Sequence, residues 1–118
     1  AGFEVIVGAV RDRVFGPVIL FGLGGVNAEL MRDVTYRLAP FDTASAKEMI
    51  AEIRGSVLLN GFRGQPACDV EALAAVLSRA SLLMADHVDE ILEIDINPLF
   101  VHARGAGVTV ADALFVLG

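Results

Sequence analysis

One cysteine, Cys68, is all the chain carries. Neither an intrachain disulfide nor a cysteine-built zinc cluster is available to it, which fits a reducing, cytoplasmic setting. Basic residues are scarce too: nine Lys and Arg stand against fifteen Asp and Glu, for a net charge of −6. A surface that neutralises a nucleic-acid backbone needs the opposite balance, so nucleic acid is not an expected partner. A nucleotide is not excluded, because a divalent ion can bridge acids to phosphates. No apolar run approaches a membrane span, since Gly16, Pro17, Gly22, Gly24 and Gly25 break the greasiest part. No signal peptide, internal repeat or low-complexity tract is visible. The glycines at 22–25 are not followed by Gly-Lys-Ser/Thr, as a P-loop requires. Counted from Gly22, the third glycine position of a dinucleotide fingerprint holds Asn27.

What remains is a globular composition. Of 118 residues, 55% are hydrophobic and 20% charged, enough for one domain, residues 1–118, with a real core. The chain opens on Ala1-Gly2-Phe3 without a Met and enters a strand pattern at once, so a fragment of a longer protein is expected.

Phe3 to Val10 is rich in β-branched residues and reads as a strand; Val18-Ile19-Leu20-Phe21 reads as its hairpin partner. The unbroken apolar run of the second predicts burial on both faces. In Asp33 to Ala39, Val34, Tyr36 and Leu38 share one face and Asp33, Thr35 and Arg37 the other. Ser45-Ala46-Lys47-Glu48 reads as a capping box opening a helix with Met49, Ile50 and Ile53 inward, ended by Gly55. Asp69 caps a second helix to about Met84, with Val70, Leu73, Val76, Leu77, Ala80 and Leu83 as its buried stripe. Leu92 to Leu99 alternates as a strand that Pro98 should end or hold at an edge. Val108 to Val116 reads as one last strand in a hairpin with it. The order β-β-β-α-α-β-β points to an α+β fold: a mainly antiparallel sheet with two main helices packed on one face.

The chemistry concentrates on the strand at 92–99. Ile94 and Ile96 point one way; Glu93, Asp95 and Asn97 point the other. A solvated face needs no partner for these groups, whereas a hard cation with oxygen ligands, Mg²⁺ or Mn²⁺, would relieve the repulsion between the acids. Asp112 is a lone acid in the apolar run of the hairpin partner. A buried, unpaired carboxylate is expensive, so it should meet water, an arginine or a metal, and Asp95 and Asn97 lie across from it. Gly24 and Gly25 belong either to a plain tight turn or to a nest of backbone N–H groups for an anion. Arg37 suits a phosphate or an acid on a neighbouring strand. Arg63, held between glycines, suits a carboxylate or phosphate, or is simply an exposed loop residue. His87 and His102 fall in polar connectors and read as surface side chains.

These pieces together resemble the C-terminal lobe of the ATP-grasp domain in NDP-forming (ADP-forming) acyl-CoA synthetases, relatives of the succinyl-CoA synthetase β subunit. The resemblance rests on Gly2-Phe3-Glu4-Val5-Ile6-Val7-Gly8, Phe15-Gly16-Pro17, Gly22-Leu23-Gly24-Gly25 with Glu29, Arg37-Leu38-Ala39-Pro40, Leu59-Asn60-Gly61-Phe62-Arg63-Gly64 and Glu93-Ile94-Asp95-Ile96-Asn97-Pro98-Leu99, in that order. It implies an acid–thiol ligase that interconverts acyl-CoA, ADP and phosphate with a free acid, CoA and ATP, through an acyl phosphate and a phosphohistidine. It implies Mg²⁺ (or Mn²⁺) held against the nucleotide by Asp95, Asn97 and Asp112, with Gly24, Gly25, Arg37 and Arg63 on the phosphate side. It further implies that the first ATP-grasp lobe, the CoA-binding and ligase domains and the phosphohistidine lie outside this stretch, and that apolar surface facing the missing lobe favours self-association. A second reading is a regulatory acyl-CoA-synthetase-like module of a protein lysine acetyltransferase.

Overall fold

Apolar alternation writes the sheet. In β1 (Phe3–Asp12), Val5, Val7 and Ala9 are buried while the residues between them are not. In β2 (Gly16–Leu23), Ile19, Phe21 and Leu23 are buried, with Gly22 buried between the last two. The computed structural model describes residues 2–25, 33–62 and 64–118. Its further elements are β3 (Val34–Leu38), α1 (Thr43–Glu52), the single-turn α2 (Ser56–Leu59), α3 (Val70–Asp86), β4 (Ile91–Val101), β5 (Val108–Val110) and β6 (Ala113–Leu117). The fold is α+β, and every ladder in the sheet is antiparallel. The strand order is β3-β2-β1-β4-β5, with β6 also paired to β4.

The helices lie on one face of the sheet. Met49, Ile50 and Ile53 from the α1 region and Leu73, Leu77 and Met84 from α3 pack with Val7, Phe21, Ile94 and Leu99 into one core. Each fully buried side chain of this size stabilises the fold by about 1.5–3 kcal/mol. No described helix covers the other face, and Val18 and Leu20 of β2 are only half-buried. The continuous apolar run therefore does not mean burial on both faces. No described helix is long and apolar enough to cross a membrane.

Several local expectations are corrected. α1 is capped by Asp42, whose carboxylate accepts from the Ser45 N–H at 2.9 Å, so the helix starts a turn before Ser45. It stops at Ile53 rather than at Gly55. α3 is capped by Asp69 as expected, but Met84 is buried in place of Leu83, which is exposed. Pro98 does not end β4. Val5 pairs with Leu99 and Val7 with Ile96, so two residues of β4, Asn97 and Pro98, stand against one of β1, Ile6. Pro98 sits in that bulge, the one interior position of a sheet where a missing N–H costs little. The extra residue resets the alternation, and Ile94 and Leu99 both reach the core despite their odd spacing. The last strand is two: β5 pairs with Leu99–Val101 and β6 with Ile91–Ile96, separated by Ala111 and Asp112.

Candidate functional site

The uncovered face of the sheet is laid out in cross-strand rows. One row runs Tyr36, Leu20, Gly8, Asp95, Leu114; the next runs Leu38, Val18, Val10, Glu93, Val116. Side chains directly opposite across strands stand about 4.5–5.5 Å apart at Cβ, so Glu93 and Asp95 border an apolar floor. Gly8 contributes no side chain beside Asp95. The result is a shallow pocket of about 390 Å³ lined by Val10, Leu20, Tyr36, Glu93 and Asp95.

Asp95 and Asn97 are two apart on β4 and both exposed on this face. Asp112 joins them through the backbone, because the Asn97 N–H donates to the Asp112 carbonyl at 3.1 Å and the Ala111 N–H to the Pro98 carbonyl at 3.1 Å. The bulge in β4 thus meets the break between β5 and β6, and the three candidates lie at one seam. Asp112 is exposed rather than buried within an apolar strand; the interruption of the strand removes the desolvation cost that the sequence pattern suggested. Among the described residues no group of three His, Cys, Asp or Glu side chains is gathered as a metal centre. The set here is two carboxylates and an amide, all hard oxygen donors of the kind Mg²⁺ and Mn²⁺ take, and it leaves room for water and phosphate oxygens to complete the shell. The donor chemistry fits such an ion.

Gly24 and Gly25 lie at the end of β2, against β1. The Gly24 N–H donates to the Glu4 carbonyl at 3.0 Å, and a Cβ on Gly24 would stand 3.2 Å from the Glu4 and Val5 backbone. Gly25 takes φ +64°, and a Cβ there would meet the Glu4 carboxylate at 2.8 Å. Both glycines are thus required by close approach and by a left-handed turn. Glu4 was not singled out in the sequence, although its alternation with Val5 and Val7 places it on the uncovered face beside this turn.

Arg37 goes elsewhere. It lies on the helix-covered side of β3, where its guanidinium grips both carboxylate oxygens of Glu52 on α1. Thr35 donates to the same carboxylate at 2.6 Å. The Arg37 and Thr35 hydrogen bonds hold Glu52 below the usual carboxylate range, and Glu52 in turn pushes Arg37 up. The structure brings Arg37 to a helix acid, not to Asp95. Arg63, with residues 26–32 that include Asn27 and Glu29, lies outside the described residues. His87 pairs with Glu90 at 3.2 Å and His102 with the Thr109 hydroxyl at 2.8 Å, both away from the seam.

Comparison with known proteins follows this geometry. Residues 1–117 match the model of the ATP-grasp domain. Over 116 residues the chain is 43% identical to the β subunit of ADP-forming acetate–CoA ligase II from Pyrococcus furiosus, covering 98% of this chain and 49% of that subunit. It is 44% identical to ADP-forming acetate–CoA ligase I from Archaeoglobus fulgidus, covering 99% of this chain and 17% of that enzyme. It superposes, with a TM-score of 0.91 and 42% identity, on acetyl-coenzyme A synthetase 1 of Ca. Korarchaeum cryptofilum in complex with coenzyme A and Mg-AMPPCP, covering 100% of this chain and 54% of that one. The chain therefore spans about half, or less, of the length of these relatives. A match that runs from end to end of the sequence, over a sheet and helices that superpose this closely, makes the chain a member of the ATP-grasp domain family.

Proposed function

We propose that this chain is the Mg·nucleotide-binding lobe of an acid–thiol ligase that couples acyl-CoA, ADP and phosphate to a free acid, CoA and ATP. The observation that carries the reading is the seam on the uncovered face: Asp95, Asn97 and Asp112 brought together beside an apolar pocket, in a chain this similar to ADP-forming acetate–CoA ligases. Leu20, Val10 and Tyr36 offer an apolar bed for a flat base, and Gly8 keeps that bed open next to Asp95. Asp95 and Asp112 carry the negative charge, and Asn97 adds a neutral oxygen, so the site would hold a cation against phosphates. A bound Mg²⁺ would neutralise phosphate charge during phosphoryl transfer, which is mostly positioning and electrostatics. The two-residue spacing of Asp95 and Asn97 on β4 and the Asn97–Asp112 backbone bond support this assignment of three ligands. The first lobe, the CoA-binding and ligase parts and the phosphohistidine belong in this reading to the rest of the parent protein.

A Mn²⁺ titration of the ¹⁵N-labelled chain, with and without ADP, tests this. Mn²⁺ takes the same oxygen ligands as Mg²⁺ and broadens nearby amides. Selective loss of signals around Asp95, Asn97 and Asp112, abolished in Asp95→Asn and in Asp112→Asn, is expected. Diffuse broadening, or broadening that survives both substitutions, removes these residues from the metal site.

A further inference from the structure

Among the described residues the sheet has two edges with no further strand, and they are finished differently. β3 is blunted: Arg37 lies along it, donates to the Tyr36 carbonyl at 3.0 Å and is itself fixed by Glu52. β6 has nothing comparable among the described residues. Its sequence, Ala-Leu-Phe-Val-Leu, contains no charge, glycine or proline. On its inner side it pairs with β4, and Leu114, Phe115 and Leu117 are 60%, 46% and 72% exposed. A bare apolar edge is a template for another strand, and proteins that need to stay single blunt it with charges, proline or bulges. Beside it, Phe115 forms one wall of an apolar groove of about 200 Å³ whose other wall is α3, with Val76 and Leu83.

We propose that β6 is a self-pairing edge, and that its occupant is β6 of a second copy of this chain. Unpaired N–H and C=O groups call for an extended backbone, and this strand is complementary to itself. Antiparallel pairing centred on Phe115 sets Phe115 opposite its copy, Leu114 opposite Val116 and Ala113 opposite Leu117. All five pairs are apolar, so two chains of net charge −6 meet without like charges across the join. The contact is isologous and closes as a dimer, extending the sheet across a twofold axis. Pairing β6 with β3 of another copy would instead be heterologous and open-ended, and the Arg37 finish on β3 opposes it.

Sedimentation velocity of the 118-residue chain from micromolar to millimolar concentration reads the result. A reversible dimer is expected. Phe115→Lys should raise its dissociation constant at least about tenfold, because twofold symmetry counts the lost pair once and adds a Lys–Lys repulsion at the axis. Leu117→Lys, at a position outside the core, should act in the same direction if Phe115→Lys fails to fold. Leu38→Lys, on the opposite edge strand, should leave the dimer unchanged. In parallel, amide exchange across Ala113–Leu117 should slow as concentration rises. A chain that stays monomeric to millimolar concentration overturns the proposal. So does a dimer abolished by Leu38→Lys but not by the β6 substitutions, or β6 amides whose exchange ignores concentration.

Discussion

Asp33 does at residue scale what its sequence neighbours do not suggest. It precedes β3, is 5% exposed, and accepts from the backbone N–H groups of Arg54 at 2.7 Å and Gly55 at 2.5 Å. These two donors lie past the end of α1, where the chain passes into α2. Gly55 is needed there for room: a Cβ would stand 2.6 Å from Leu23 Cδ1. Asp33→Ala should destabilise the fold by about 3 kcal/mol, since two backbone donors to a buried carboxylate lose their partner. Urea unfolding should show this as a lower midpoint with an unchanged slope. In the sequence Asp33 was readable only as the polar member of an alternating strand. Its partners are 21 and 22 residues away, beyond any local pattern. Asp95 and Asn97 are the opposite case, because their shared face follows from strand alternation alone.

At the scale of the element, β4 organises the molecule. It pairs with β1 on one side and with β5 and β6 on the other, it carries two of the candidate metal ligands, and its bulge sets which residues reach the core. Alternation placed Ile94 and Ile96 correctly. It stopped at Pro98 because the usual meaning of a strand proline is an end or an edge, and a bulge can be recognised only against the partner strand. Deleting Pro98 would remove the extra residue and leave the buried Leu99 and Val101 in plain alternation with Ile94 and Ile96 on the core face. The mismatch would fall on the other side of β4, where the Asn97–Asp112 and Ala111–Pro98 backbone bonds run in unbroken register from β6 to β5. The expected result is a variant that still unfolds cooperatively, with dispersed amide signals, but shows shifted signals and faster amide exchange at Asn97 and Ala111; a variant that unfolds without cooperativity would show that the core itself needs the bulge. The hairpin misreading has the same origin, since Val108 to Val116 is apolar throughout apart from Thr109 and Asp112, and only the partner strand reveals the break at Ala111–Asp112.

For the molecule as a whole, several carboxylates act as backbone caps and share one response to acid. Asp69 accepts from Ala72 at the start of α3 and from Gly107 and Gly105 in the β4–β5 turn, so it ties helix to hairpin. Those backbone hydrogen bonds, from Ala72 first and then Gly107, hold it below the usual range. Asp12 is held low by Phe15 and Val14, and Asp42 chiefly by Ser45. A carboxylate with a depressed folded-state pKa contributes stability that is fully present above its unfolded value, about 3.9 for Asp, and is lost as pH falls through the lower folded value. The melting temperature should therefore hold steady from neutral pH to about 5 and fall steeply below 4. Asp69→Asn should flatten the acid limb, and an unchanged limb would show that Asp69 does not contribute to it.

The sequence by itself determined the class of fold, the helix cap at Asp69, the one-sided packing and the pairing of Asp95 with Asn97, because each depends on periodicities of two or 3.6 residues that a single segment carries. The ordered motifs pointed to the ATP-grasp resemblance, and the family comparison agrees with it. Only the tertiary structure decided the rest. Arg37 turns to Glu52 because α1 lies over its side of β3, and Asp112 reaches the Asn97 backbone because β6 and β5 meet β4 on either side of a bulge. Glu4 comes beside Gly25 because β1 and β2 are adjacent. In each case the deciding contact joins elements far apart in the chain, and its geometry is set by packing, which no local pattern contains.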